Sequence, residues 1–348
     1  MHMHYFWKKL ASASLAASCL LLPAGFGQME AASLDVISPD YRAKAGYVVN
    51  CTTDEELAAS PLTAYQIPAV PGNVNRSVLT VPAGKDVPEM ELGIYRPRGS
   101  ESENLPVIYY SHGGGFLFRG AYYNYAKYQK IADALQAAVV TPRYRISPEA
   151  PFPAAVLDAY HGLEYVRDNA RALHLSDKIV IMGDSAGGNL TAALALYNRD
   201  HGDVEVAGEV LIYPMLDSRT GGKDDPYKAP NTGEVCWPRD TNVYAWQKLA
   251  GGKKIKKEEM RYYSPVRAAA SELKGLPPTL IYVGDIDLFA NEDLVYAEKL
   301  IEAGVKVELH MERGVYHAFD LLVPEAEQTQ EFWQEIYRTT GEMLEGSY

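Results

Sequence analysis

Positive charge is thinly spread along this chain, gathering only at Lys253, Lys254, Lys256 and Lys257, which lead into Glu258 and Glu259. With a formal charge of −12 the chain as a whole repels the polyanionic backbone of nucleic acid, and the short lysine run reads as a solvated turn entering a helix. No apolar run reaches the roughly 18 residues that a membrane-spanning helix requires. There is no internal repeat and no low-complexity tract. A content of 47% hydrophobic and 22% charged residues excludes disorder, and 348 residues supply ample core for one large domain or two smaller ones. Cysteine is scarce, with only Cys19, Cys51 and Cys236.

The N-terminal end has a composition of its own. Lys8 and Lys9 precede an apolar run from Leu10 to Leu22, which Pro23, Gly25 and Gly27 then break. This pattern predicts a signal peptide, assigned to residues 1–27, with cleavage near Gly27 or Ala32 and an exported mature chain. Loss of the two lysines takes the charge from −12 to −14. Cys19 offers an alternative lipidation site, but a lipid-modified cysteine should follow the apolar stretch, and here that stretch continues through Leu22.

From about residue 76 apolar runs alternate with helical periodicity, the pattern of a mostly parallel sheet covered on both faces. Eight strands are expected, at 76–81, 89–95, 106–111, 138–143, 178–183, 209–213, 279–284 and 306–311. Helices are expected at 122–135, 153–169, 186–197, 291–303 and 325–344. Two segments break the alternation, residues 28–75 and 215–262, and such excursions from an α/β core are often binding elements.

The fifth expected strand runs into Gly183-Asp184-Ser185-Ala186-Gly187-Gly188, with a helix-forming run behind it. This is the G-x-S-x-G turn in its strand-turn-helix setting, and it presents Ser185 at the carboxyl edge of the sheet as a nucleophile. Small residues two before and two after the serine are needed because larger ones would collide across so sharp a turn. The third expected strand ends in His112-Gly113-Gly114-Gly115-Phe116. A dinucleotide cradle would need G-x-G-x-x-G and an immediate helix, and the match is poor. Glycine backbone here instead lets amides point at an oxyanion, so Gly114, Gly115 and Ala186 are assigned as donors, with Gly113 making the turn.

A serine hydroxyl needs a base with a pKa near 7 to take its proton. Of eight histidines, His317 follows the last strand in a loop at its carboxyl end, whereas His310 lies inside that strand. His317 is the expected base. The acid should follow the strand at 279–284, where Asp285, Asp287 and Asp293 are candidates; the extra reach of Asp287 favours it as the group that orients the imidazole.

Four motifs in this order resemble the hormone-sensitive-lipase family of esterases: the His112 glycine run, Tyr144-Arg145-Ile146-Ser147-Pro148-Glu149, the Ser185 turn, and Asp287 followed by Glu292. The resemblance spans about residues 76–340. It implies an α/β-hydrolase fold with its core at 76–214 and 263–348, and a cap built from residues 28–75 and the insertion 215–262. It also implies carboxylesterase activity on short acyl esters, without cofactor or metal. Three departures stand out: Ile146-Ser147 where the family usually has Leu-Ala, Leu288 where Pro is common, and Ala318 rather than Gly after the histidine. None removes a reacting group.

Acetylated sugars fit an exported acidic protein as natural substrates. A non-catalytic small-molecule receptor on the same fold and an amide hydrolase are the alternatives. Once Cys19 leaves with the signal peptide, Cys51 and Cys236 remain, one in each half of the implied cap, and an exported protein meets oxidising conditions. A disulfide between them is the expectation.

Overall fold

Central strands form where mostly apolar runs lie between turn-forming residues, whereas the edge strands mix polar and apolar residues. In the computed structural model, which describes residues 34–63, 67–100, 104–227 and 229–348, the strands are β1 Arg76–Val81, β2 Met90–Tyr95, β3 Leu105–Ser111, β4 Ala138–Pro142, β5 Leu175–Asp184, β6 Gly208–Ile212, β7 Thr279–Gly284 and β8 Val307–Glu312. They make one eight-stranded sheet in the order β1-β2-β4-β3-β5-β6-β7-β8. Only β2 is antiparallel to its neighbours β1 and β4; every other pairing is parallel. β5 starts earlier than its apolar run, because Leu175 still pairs with Leu105 before the register shifts.

The principal helices are α1 Asp54–Ala59, α2 Tyr125–Leu135, α3 Ala154–Asn169, α4 Ala186–His201, α5 Arg239–Ala250, α6 Ala290–Glu302 and α7 Glu327–Glu345. The expected helix from Tyr122 starts three residues late. Gly120–Tyr123 forms a 3-10 turn instead, and the Asn124 side chain accepts the Lys127 amide to cap α2. The lysine run is exposed and passes into a 3-10 turn at Lys257–Glu259.

Because side chains alternate across a strand, the central strands feed two separate cores. Val107, Tyr109, Ile179, Ile181, Leu211 and Ile281 pack with α3, α4 and α6. Their neighbours Ile108, Tyr110, Val180, Met182, Val210 and Leu280 pack with α2 and α7 on the other face. Burying one such aliphatic side chain contributes about 1.5–3 kcal/mol, which is why β4, β6 and β7 carry no exposed residue.

The N-terminal segment first lies against the core and then crosses to the insertion. The Tyr41 hydroxyl bonds Thr329 at 2.8 Å and its carbonyl accepts from the Tyr316 hydroxyl at 3.0 Å. Further on, Val48 bridges Cys236, the Cys51 amide donates to Thr241, and the Tyr244 hydroxyl donates to Asp54. The expected disulfide is not formed: both thiols are free and buried. Although residues 47–49 meet Cys236 through the backbone, the Cys51 side chain joins the cluster that holds Trp237, whereas the Cys236 side chain joins the one that holds Tyr316. The two thiols are sunk in different packing clusters. The expected signal peptide and Cys19 lie outside the described residues. Among those described, no helix is long and apolar enough to cross a membrane.

Candidate active site

The chain leaves β3 for β4 on one side and later returns to the other side of β3 as β5, so the sheet has a switch point between the carboxyl ends of β3 and β5. A crevice opens at such a point, and ligands bind there in open α/β sheets. The two glycine motifs sit at these two strand ends.

Ser185 stands between β5 and α4 with φ 57° and ψ −121°, a conformation that costs a non-glycine residue about 1–3 kcal/mol. Its surroundings hold it there. The Ser185 amide donates to the Ile212 carbonyl at 2.9 Å, and its own carbonyl accepts from Met215 at 3.0 Å and Asn189 at 3.1 Å. The flanking glycines are sterically required: a Cβ on Gly183 would strike the Gly187 carbonyl, and one on Gly187 would strike the carbonyls of Ser111 and His112.

Three side chains from separate loops meet here. Asp287 Oδ2 and His317 Nδ1 are 2.8 Å apart, and His317 Nε2 and Ser185 Oγ are 2.9 Å apart. Since a carboxylate can only accept, Nδ1 carries the ring proton and Nε2 is free to accept from the serine hydroxyl. All three residues are buried. Asp287 is braced by the Phe289 amide, which donates to its Oδ1 at 2.9 Å.

The other acid candidates are placed elsewhere. Asp285 accepts the Gly314 amide at 2.6 Å and so holds the loop that carries His317. Asp293, fully buried in α6, has no partner on either carboxyl oxygen among the described residues, and burial raises its pKa well above the usual range. His310 is stacked on Tyr282 at 5.1 Å and bonded to Glu308, far from this chemistry in role as well as register.

The glycine loop is shaped from behind. His112 stacks on Tyr144 at 4.3 Å, its Nδ1 donates to the Gly113 carbonyl at 2.7 Å, and the Tyr144 hydroxyl donates to the His112 carbonyl at 2.6 Å. Burial lowers the His112 pKa to about 4, so the ring is a neutral prop. Gly114 and Gly115 have φ of 114° and 61°, and a Cβ on Gly114 would strike the Phe118 carbonyl. Among the described residues the amides of Gly114, Gly115 and Ala186 donate to no acceptor, which leaves three N–H groups unspent beside Ser185.

Glu292, picked out by resemblance alone, has a structural task. Its carboxylate accepts the Leu216 amide at 2.5 Å and the Thr220 hydroxyl, which pins the start of the insertion onto α6. Burial first, and then Asp217, raises its pKa. Sequence reasoning missed the aromatic enclosure of His317 by Tyr213, Phe289 and Trp237, at ring distances of 4.9, 5.0 and 6.5 Å. No local pattern announces it. Among the described residues Glu308, His310 and Glu335 lie close enough to share a cation, but Arg338 already pairs with both glutamates.

Comparison with known proteins places these observations in a lineage. The chain is 33% identical over 234 residues to the carboxylesterase NlhH of Mycobacterium tuberculosis, an alignment covering 64% of this chain and 70% of that one. It is 31% identical over 244 residues to the gibberellin receptor GID1A of Arabidopsis thaliana, covering 67% of each. It spans 65% to 73% of the length of several curated relatives. A solved bacterial heroin esterase superposes with a TM-score of 0.75 at 28% identity, over 90% of this chain and 99% of that one. Residues 108–321 match the alpha/beta hydrolase fold family. More than half of the chain falls within that match, and it belongs to this family, in its hormone-sensitive-lipase-like esterase branch.

Proposed function

We propose that this chain is an exported serine carboxylesterase that hydrolyses esters of short acyl groups, acetylated sugars among them. The observation that carries the reading is the unbroken relay from Asp287 through His317 to Ser185, at 2.8 and 2.9 Å. Ser185 Oγ attacks the ester carbonyl carbon while its proton passes to His317 Nε2, and Asp287 stabilises the imidazolium so formed. The oxyanion accepts from the amides of Gly114, Gly115 and Ala186. As the bond to the alcohol breaks, Nε2 returns its proton to the leaving oxygen and the acyl group stays on Ser185. Water, deprotonated by the same nitrogen, then releases the acid and restores the serine.

The carboxylesterase and esterase relatives support this chemistry. Acyl-chain preference and export rest on the family resemblance and on the composition of residues 1–27. In this reading the N-terminal segment and the insertion form a cap over the site. The likeness to GID1A favours a receptor instead, but a receptor needs a pocket and no base, and the relay is intact. An amide hydrolase would use the same three residues.

Release of p-nitrophenol from acetate, butyrate and longer esters tests the reading. Turnover should fall with acyl length, and Ser185→Ala or His317→Ala should each lower kcat by several orders of magnitude, since such residues act as a unit. A wild-type chain that turns over none of these esters sinks the proposal. Export is checked by N-terminal sequencing of the chain recovered outside the cytoplasm, with a start near Gly27 or Ala32 expected.

A further inference from the structure

We infer that Trp237, delivered from the insertion, is the wall that limits the alcohol part of the ester; the inference rests on the esterase reading above. The first observation is how the indole is delivered. The Trp237 amide donates to the Val235 carbonyl at 2.8 Å across a three-residue turn, whose central residue Cys236 has φ 63°. A non-glycine residue in that region costs about 1–2 kcal/mol, so something must hold it. The N-terminal segment does so from both sides: the Cys236 amide donates to the Tyr47 carbonyl at 2.7 Å, and its carbonyl accepts the Val49 amide at 2.8 Å. Strain maintained at this cost commonly marks a site where one side chain must be aimed.

The second observation is that the indole is fixed once aimed. Its Nε1 donates to Asn242 Oδ1 at 3.0 Å, and Asn242 Nδ2 in turn donates to the Thr220 carbonyl at 2.9 Å; both Trp237 and Asn242 are buried. The third is where it points. A Cβ on Gly115 would collide with the six-membered ring of the indole, and the indole lies 6.5 Å from the His317 ring at 45°. Tyr213 and Phe289 also flank His317, from the ends of β6 and β7, but Trp237 is the ring that reaches the imidazole and Gly115 together.

Chemistry then says which half of the substrate meets it. The proton on His317 Nε2 goes to the oxygen of the departing alcohol, so the alcohol group lies on the imidazole side of the tetrahedral carbon, with the oxyanion toward the glycine loop. A rigid indole wedged between those two bounds the alcohol. It favours flat groups, which can lie along an aromatic face, over thick ones of equal ring size.

Phenyl and cyclohexyl acetate differ in this way while sharing the acyl group, and comparing variant with wild type cancels their intrinsic reactivities. Trp237→Ala should raise the cyclohexyl-to-phenyl ratio of kcat/KM by at least about tenfold, the usual scale for relief of a pocket misfit. Trp237→Phe should move it the same way by about threefold, and it decides the matter if the alanine variant does not fold. Across p-nitrophenyl acetate to octanoate both variants should keep the wild-type dependence on acyl length. An unchanged alcohol ratio, or a shift confined to the acyl series, overturns the inference while leaving the esterase reading intact. Failure of the wild type to turn over any of these esters overturns both.

Discussion

Asp285 accepts a hydrogen bond at 2.6 Å from the backbone amide of Gly314, three residues before His317, whereas Asp287 accepts from the His317 ring itself. One carboxylate positions the loop and the other the imidazole. Asp287→Asn should therefore lower kcat by about 10³–10⁴-fold, because an amide can donate to Nδ1 and turn the ring to the wrong tautomer. Asp285→Asn keeps an acceptor for Gly314 and should cost less than about tenfold in kcat and about 1 kcal/mol in stability. Steady-state kinetics beside thermal melts check both, and equal modest losses in kcat would show that neither serves as the orienting acid.

Ala318, directly after the histidine, has φ 57° and ψ 30°, in the left-handed region. A Cβ there is strained by about 1–2 kcal/mol, partly offset by the greater backbone freedom that glycine loses on folding. Ala318→Gly should raise stability by up to about 1 kcal/mol, some 2 °C in Tm for a chain of this size, with kcat within about threefold. Ala318→Val should lower Tm and kcat together, since a β-branched residue tolerates this region less and the loop carries His317. A fall in Tm for the glycine variant would show that Ala318 carries no left-handed strain for glycine to relieve.

Glu209 is fully buried on β6, within 3.4 Å of the Thr279 hydroxyl, and its Oε1 has no partner among the described residues. Burial pushes its pKa from the usual 4.5 up to about 8. The folded chain thus holds this proton more tightly than the unfolded one. The stabilisation is fully present below pH 4.5 and is lost as pH rises through about 8. Glu209→Gln, neutral at every pH, should gain steadily on the wild type across that window in denaturant melts. A pH-independent difference between the two would show that Glu209 does not titrate there.

Cys51 and Cys236 are free, and burial, before nearby carboxylates, pushes the Cys51 thiol up to about 11 and raises that of Cys236. A thiol reagent should react slowly with the native protein. After unfolding without reductant, Cys51 and Cys236 should both react, with Cys19 added in any chain that retains residues 1–27. Absence of reaction at these two positions would mean that they are bonded after all.

What was legible in the sequence is what local sterics and periodicity dictate. The turn at Ser185 is legible because Gly183 must be small for the chain to pass: a Cβ there would strike the Gly187 carbonyl four residues on, and so short a collision leaves its mark within the motif, whereas the smallness of Gly187 answers to Ser111 and His112 from a distant strand end. The central strands are legible because parallel strands buried on both faces need nearly unbroken apolar runs, and the loop position of His317 follows from where the last strand ends.

Tertiary structure alone decided matters in which the partner arrives from far along the chain. Asp285 and Asp287 both follow β7 and are separated only by what comes back to meet them about thirty residues later, Gly314 for one and His317 for the other. With Cys19 assigned to the expected signal peptide, the cysteine count left one pair but carried no distance, and the fold put the two thiols in different packing clusters. Trp237 follows no motif at all: its place beside His317 depends on a strained turn at Cys236 that residues 47–49, almost two hundred positions earlier, hold in shape. Local sequence records what a residue's neighbours forbid, and only the folded chain determines which distant group stands across from it.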